Sequence, residues 1–177
     1  MAKEISNIIE FTLIYNRYKS KLYNYIWKMV NNNTVTEDII QTVFMKFYEN
    51  MNNLRDKSKY EFWIFKTARN EVYNHYRSKR TKESLVDSVD VDQMPVHEKE
   101  SIDYIMDQKE MHRFIMIELD NSPLEQKEIY LLKEYGQLSY KEIASLMGIE
   151  EELVKSRLHK VRKKLVDKIS KILFYGV

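Results

Sequence analysis

Six cations and a histidine crowd one ten-residue stretch: Lys155, Arg157, His159, Lys160, Arg162, Lys163 and Lys164. Between and beyond them Leu153/Val154, Leu158, Val161, Leu165 and Ile169 recur at three- and four-residue steps, the signature of one buried helical face. A helix built this way keeps its cations on the solvent side. Its chemistry is non-covalent: ion pairs to phosphates and hydrogen bonds to base edges in a DNA major groove. Such a helix must be held at a fixed angle, and the residues just before it can do so. Ser139 and Glu142 have capping-box spacing, which starts a first helix. Ile143, Ala144 and Met147 give that helix an apolar face, and Ala144 is small enough for another helix to cross closely. Gly148 can adopt the left-handed conformation that ends a helix, and Ile149 fills the corner. Together these residues spell a helix-turn-helix; an ordinary helical hairpin with a solvated basic face is the weaker reading.

A second group of residues suits a different nucleic-acid chemistry. Tyr60 to Tyr76 contains six aromatic residues, interleaved and followed by Lys66, Arg69, Arg77, Lys79, Arg80 and Lys82. Rings beside cations suit unstacked single-stranded bases, because every base has a π-face and every nucleotide a phosphate. Large aromatics are also the natural filling of a helical core. Core is therefore favoured over base contact for Trp63, with Phe62 and Phe65, whereas Tyr73, Asn74, Tyr76 and Arg77 divide evenly between the two. The segment Val35 to Met51 differs again, with Ile39/Ile40, Val43/Phe44 and Phe47 as an apolar stripe and Glu37, Asp38, Gln41 and Glu49 elsewhere. Acids do not attract nucleic acid, so a plain bundle helix, or one that meets a protein partner, is expected there.

Composition sets the frame. Among 177 residues there are 3 Gly and 2 Pro, which points to an all-α protein of one or two domains. The absence of cysteine rules out disulfides and thiolate metal sites and fits a reducing cytoplasm. No apolar run reaches membrane-spanning length and no signal peptide is recognisable, so a cytoplasmic chain with no membrane association is expected. The net charge of +2 hides segregation. Lys66–Lys82 holds six basic residues and one acid, Lys155–Lys171 eight and one, and Glu83–Glu110 nine acids and two lysines. Two basic modules joined by an acidic connector is the informative description.

Four pairs have capping-box spacing: Thr34/Glu37, Ser58/Glu61, Ser122/Glu125 and Ser139/Glu142, with Pro123 expected at a first helical position. Helices are predicted at about 4–30 (with a break near Tyr15), 35–52, 59–79, 98–119, 123–134, 139–147 and 152–174. The boundaries expected are an N-terminal helical domain at 1–81, an acidic linker at 82–97 and a helix-turn-helix domain at 98–177. Asp87, Asp90 and Asp92 lack the glycine and closing glutamate of a calcium loop and belong to a solvated linker. No HExxH, phosphate loop or nucleophile constellation is present, and His75, His97, His112 and His159 are scattered. An enzyme is not expected, nor a metal or any other cofactor.

Three motifs in order resemble the extracytoplasmic-function type of the sigma-70 family of bacterial RNA polymerase sigma factors, and the related clostridial regulators of toxin and bacteriocin genes. They are Glu37-Asp38-Ile-Ile-Gln41-Thr-Val-Phe44; Trp63-Ile64, Ala68-Arg69-Asn70 and Tyr76-Arg77-Ser-Lys-Arg80; and Pro123-Leu124, Tyr140-Lys-Glu142-Ile143-Ala144 and Val154-Lys-Ser-Arg157-Leu158. The resemblance covers Tyr15–Arg80 and Ser122–Leu165. It implies a region 2-like bundle and a region 4-like helix-turn-helix in a chain that directs core polymerase to promoters. Glu37, Asp38, Gln41 and Phe44 would meet the clamp helices of the largest polymerase subunit. The loop Asn52–Lys59 would help open the −10 element, which Trp63, Arg69, Asn70, Tyr73, Asn74, Tyr76 and Arg77 would bind. Lys155, Ser156, Arg157, His159, Lys160 and Arg162 would read the −35 element, near the flap of the second-largest subunit. The acidic linker would thread through the polymerase, and an anti-sigma factor is a further partner the resemblance allows. Two positions depart from the family pattern: Glu150-Glu151-Glu152 stands where a small or hydroxyl residue is usual, and Asn74 where an Asp is common. The acids either accept from cytosine N4 or complement the helix dipole, and the second reading is favoured. The competing function is a free-standing helix-turn-helix regulator that binds a palindrome as a dimer.

Overall fold

A computed structural model describes residues 2–85 and 108–175, and all regular structure among them is helical. The helices are α1 (Ala2–Val30), α2 (Asn33–Asn50), α3 (Tyr60–Leu85), α4 (Gln108–Asp120), α5 (Leu124–Glu134), α6 (Tyr140–Met147) and α7 (Glu151–Tyr175). Short 3₁₀ turns at Met51–Asn53 and Lys57–Lys59 join α2 to α3. The expected break near Tyr15 is absent, and α1 runs through it. Of the expected linker, residues 82–85 continue α3; the remainder, with Asp87, Asp90, Asp92, Pro95 and His97, lies outside the described residues, as does the expected helix start at 98.

One of the four expected capping boxes forms. Ser139 Oγ accepts from the Glu142 N–H, and the Glu142 carboxylate accepts from the Ser139 N–H at 2.8 Å. At α2 the cap is Asn32, whose Oδ1 accepts from the Val35 N–H at 3.0 Å. Asn31, with φ 50°, turns the chain sharply out of α1, so the extended residue ahead of the helix is Asn32 and Thr34 falls inside the first turn. Near α3, Asp56 Oδ1 accepts from both Ser58 N (3.0 Å) and Ser58 Oγ (2.6 Å), leaving Ser58 a donor within a 3₁₀ turn. Those bonds hold the Asp56 carboxyl below its usual pKa. Ser122 Oγ donates back to the Glu118 carbonyl, and Pro123, extended at ψ 136°, becomes the cap residue, one place ahead of its expected position inside α5.

The N-terminal half packs α1, α2 and α3 side by side through Leu22, Tyr25, Ile26, Val43, Phe47 and Ile64. The C-terminal half packs α5, α6 and α7 around Ile129, Leu132, Ile143, Val154, Leu158 and Val161. Each fully buried side chain of this size contributes roughly 1.5–3 kcal/mol, so either set is a substantial core. The two cores are continuous across α1·α5 and α3·α6 contacts. Gly136 explains how close that approach is. A Cβ there would stand 3.1 Å from Cε1 of Phe65 on α3 and 2.6 Å from the Leu132 carbonyl oxygen at the end of α5. Any side chain would collide with one or the other.

Candidate nucleic-acid interface

The helix-turn-helix is built locally. Gly148 takes φ 67°, ψ 37°, and its N–H caps the Ala144 carbonyl, to which the Ile149 N–H also donates at 3.1 Å. The tight turn tucks Ile149 against the core and sends α7 away from α6. Val154, Leu158, Val161 and Leu165 are buried, as their spacing requires, while Leu153 is largely exposed.

Acids sort the outward row of α7 into two sets. Ser156, His159 and Lys160 are exposed, and among the described residues no acid pairs with them. Lys155 is drawn toward the helix start, 3.1 Å from Glu151 Oε1 and 2.8 Å from Glu152 Oε1. Hydrogen bonds donated to Glu152 and Glu151 raise the Lys155 pKa. Arg157 is ion-paired with Glu125 on α5, and Arg162 with Glu134, also on α5. The acids at 151 and 152 thus hold a cation of their own helix as well as occupying its positive end.

On α3 the expected residues also divide. Lys66, Asn70, Asn74 and Arg77 form one exposed stripe, with Trp63 partly exposed at its upper end against Phe47. Arg77 donates to the Asn74 side-chain oxygen. Asn74 thus orients the arginine, a role the sequence motif did not reveal. Tyr76 is anchored differently: its hydroxyl donates to the Met29 carbonyl at 2.5 Å, pinning α3 to α1. Burial, with the negative field of Asp120 and Glu128, pushes that phenol up to about 12.

Arg69 and Tyr73 face the C-terminal half. Arg69 Nε and Nη2 donate to Glu128 at 3.0 and 3.3 Å, and the Tyr73 hydroxyl donates to Glu128 Oε2 at 2.9 Å. The Tyr25 hydroxyl on α1 adds a bond of 3.0 Å. Glu128, on α5, is fully buried among these donors. Burial and the Glu128 charge push Tyr73 up to about 12 and hold Tyr25 well above the ordinary phenol value. Burial works against the Arg69 charge, but Glu128 more than offsets it and the guanidinium pKa rises. Nothing in the sequence marked Glu128: its partners lie 55, 59 and 103 residues away.

Beside this cluster Lys28 is almost entirely buried. Its ammonium lies 4.4 Å over the Tyr135 ring and 3.4 Å from His112 Nε2. An ammonium can only donate, so that nitrogen accepts. Burial lowers the Lys28 pKa, and burial together with Lys28 lowers that of His112.

On α2, Glu37, Asp38 and Gln41 are exposed, continued by Met45 and Tyr48, which the motif reading omitted. Both continue the stripe at helical spacing from Gln41, and that periodicity was the available signal. Phe44 departs from the expected surface: it is 3% exposed and lies against Tyr15, ring centroids 4.7 Å apart. Its position on the α1-facing side of α2 makes it core, so it supports the surface from beneath. Among the described residues no cluster of three His, Asp or Glu side chains could hold a metal, and no helix is long and apolar enough to cross a membrane.

The family models for sigma-70 region 2 and sigma-70 region 4 match residues 14–82 and 123–165. The RNA polymerase sigma factor SigZ of Bacillus subtilis strain 168 is 30% identical over 152 residues, covering 86% of this chain and 82% of that protein. The ECF RNA polymerase sigma factor SigM of the same organism is 30% identical over 158 residues, covering 86% and 90%. The fold is similar to that of the sigma factor RpoE of Bartonella quintana, solved with the anti-sigma factor NepR, at a TM-score of 0.68 and 20% identity over 91% of this chain and 94% of that one. Two matched regions, each carrying one of the two exposed rows described above, define an RNA polymerase sigma factor. The chain belongs to the sigma-70 family, in its extracytoplasmic-function branch, and is a transcription-initiation factor.

Proposed function

We propose a division of labour for this sigma factor in which α2 docks core RNA polymerase, α3 takes the −10 element and α7 reads the −35 element. The observation that carries it is the presence of two exposed polar-basic rows, Lys66/Asn70/Asn74/Arg77 and Ser156/His159/Lys160, on two separately matched family regions of one chain. The first row stands beside a partly exposed Trp63, which suits unstacked bases. The second projects from a capped helix-turn-helix, which suits a major groove. Glu37, Asp38, Gln41, Met45 and Tyr48 form an acidic and apolar surface for a protein partner on a third face. Lys155, Arg157 and Arg162 join the −35 contacts on exchanging their glutamates for DNA phosphates.

No catalytic role belongs to this reading, and the chain acts in the cytoplasm, where polymerase and chromosome are. The domain limits of 1–81, 82–97 and 98–177 are retained as functional units. Gel filtration with and without bacterial core polymerase tests the assignment, and run-off transcription follows. Co-elution at one-to-one stoichiometry is expected. Separate elution, with the protein running as a dimer on its own, would return the case to a free-standing regulator.

A further inference from the structure

Leu153 is 40% exposed, although its spacing belongs to the apolar repeat of α7. Val154 beside it fills the core in its place and is fully buried. Ser156 and Arg157 follow Leu153 by three and four residues and Lys160 by seven, so the four share one side of the helix. A lone exposed leucine needs no explanation by itself. This one stands among the side chains assigned to the −35 element, and the charges around it sort the ligand it can meet.

The first turn of α7 is acidic, and its later turns are basic. Glu151 and Glu152 hold Lys155 at 3.1 and 2.8 Å, and Glu125 holds Arg157. The acids outnumber the cations they pair with, so a phosphate is repelled from this turn and drawn instead toward Lys160 and Lys163 further along. What remains within reach of the first turn is the base edges, the part of the groove that the early residues of such a helix meet. Leu153 can neither donate nor accept a hydrogen bond there. Of the four bases, thymine alone offers an apolar group in the major groove, its C5 methyl.

We propose that Leu153 is a specificity-determining residue that reads the C5 methyl of a thymine in the −35 element. The proposal rests on the assignment of α7 to that element. Leucine against methyl takes both groups out of water, whereas a base without the methyl leaves the side chain facing a gap. The contact carries sequence information without a hydrogen bond, and Ser156 and Lys160 supply polar contacts beside it.

The test exchanges one methyl group in the DNA. A duplex is selected from a random-sequence library by the full-length chain bound to core polymerase. Each thymine of its −35 half is then replaced in turn by uracil, which keeps every hydrogen-bonding group and lacks only the methyl. Competition binding is expected to show a loss of roughly fourfold at a thymine, the effect of one methyl group buried. Leu153→Ala is expected to weaken binding to the thymine duplex and to hold thymine and uracil duplexes equally. Alanine is the better helix former and the position is exposed, so the fold is expected to persist. Leu153→Met, of similar volume, should keep the discrimination. A −35 element in which no uracil substitution weakens binding would overturn the proposal, as would a penalty that survives undiminished in Leu153→Ala. Lys160→Ala tests the assignment of α7 separately and is expected to weaken every duplex alike. If it does so while Leu153→Ala keeps the discrimination, only the leucine reading falls. If neither variant changes binding, the assignment of α7 falls with it.

Discussion

Arg157 Nη1 stands 2.5 Å from Glu125 Oε2, so a cation of α7 is held by an acid of α5, two helices earlier in the chain. The contact is an ion pair off the direction of a hydrogen bond, which leaves the buried Nη1 without a hydrogen-bond partner. Glu125 is well exposed, so the pair itself contributes at most about 1 kcal/mol. Its effect on DNA affinity follows from competition. Glu125→Gln is expected to tighten duplex binding of the full chain a fewfold at low salt and to do nothing at high salt. Arg157→Ala is expected to weaken −35-dependent initiation by roughly 1–3 kcal/mol if the residue reads a base. A uniform loss across promoter sequences would assign it to a phosphate instead.

In the proposed division of labour the exposed acid Asp38 belongs to the partner surface and to neither DNA surface. Asp38→Lys is expected to weaken co-elution with core polymerase while leaving the duplex affinity of the full chain within twofold of wild type. Equal loss of both would discredit the division of labour.

Arg69 stabilises a carboxylate that has no route to water. Arg69→Met leaves Glu128 buried and uncompensated apart from two hydroxyls, and is expected to cost about 3–5 kcal/mol in urea unfolding. The double variant Arg69→Met/Glu128→Met should recover most of that loss, because no buried charge then remains. A double variant as unstable as the single one would show that packing, not charge, is responsible.

His112 makes the closed contact pH-sensitive. Its folded-state pKa lies below the ordinary value, from burial first and the Lys28 charge second. The unfolded chain therefore binds the proton more tightly. Stability from this contact is present above about pH 6.5, the ordinary histidine value, and is lost as pH falls through the lower folded value. The groups facing it are Lys28 on α1 and Tyr135 after α5, neither of which changes charge in that range. A melting-temperature drop between about pH 7 and pH 5 is expected in wild type and a shallower one in His112→Gln. Identical slopes would remove His112 from the account.

Where the determining partner is near in sequence, the fold was legible. Ser139 and Glu142 are three residues apart, and Gly148 follows the helix it ends, so the helix-turn-helix could be read with its turn. The same local logic failed where two acceptors competed. Asn32 took the cap expected of Thr34, and Asp56 engaged Ser58 as a donor, because the extended backbone position, not the spacing of side chains, decides which residue caps. Phe44 was misplaced for a related reason: a motif says which residues recur together, not which side of the helix is buried. Tyr76 and Arg69 lay beyond any local reading, since their partners, Met29 and Glu128, are 47 and 59 residues distant. From sequence Glu128 was one acid among 27 acidic residues, and only assembly of both halves gives it a role.

Gly148 is held to glycine by its backbone conformation. At φ 67° it occupies a conformation that any other residue adopts with strain, and an added Cβ would meet no neighbour within 4 Å. Gly148→Ala is therefore expected to cost about 1 kcal/mol through the backbone alone, seen as a lower melting temperature with unchanged helix content.

The sequence separation of 103 between Tyr25 and Glu128 gives the closed contact a history as well as a structure. A loop of that length closes slowly compared with the pairing of α1 with α2, whose partners are sequence neighbours. During synthesis α1 to α3 are made ahead of α5 and are available to pack first. For that interval the Arg69 and Tyr73 side of α3 stands uncovered, and only the arrival of α5 closes over it.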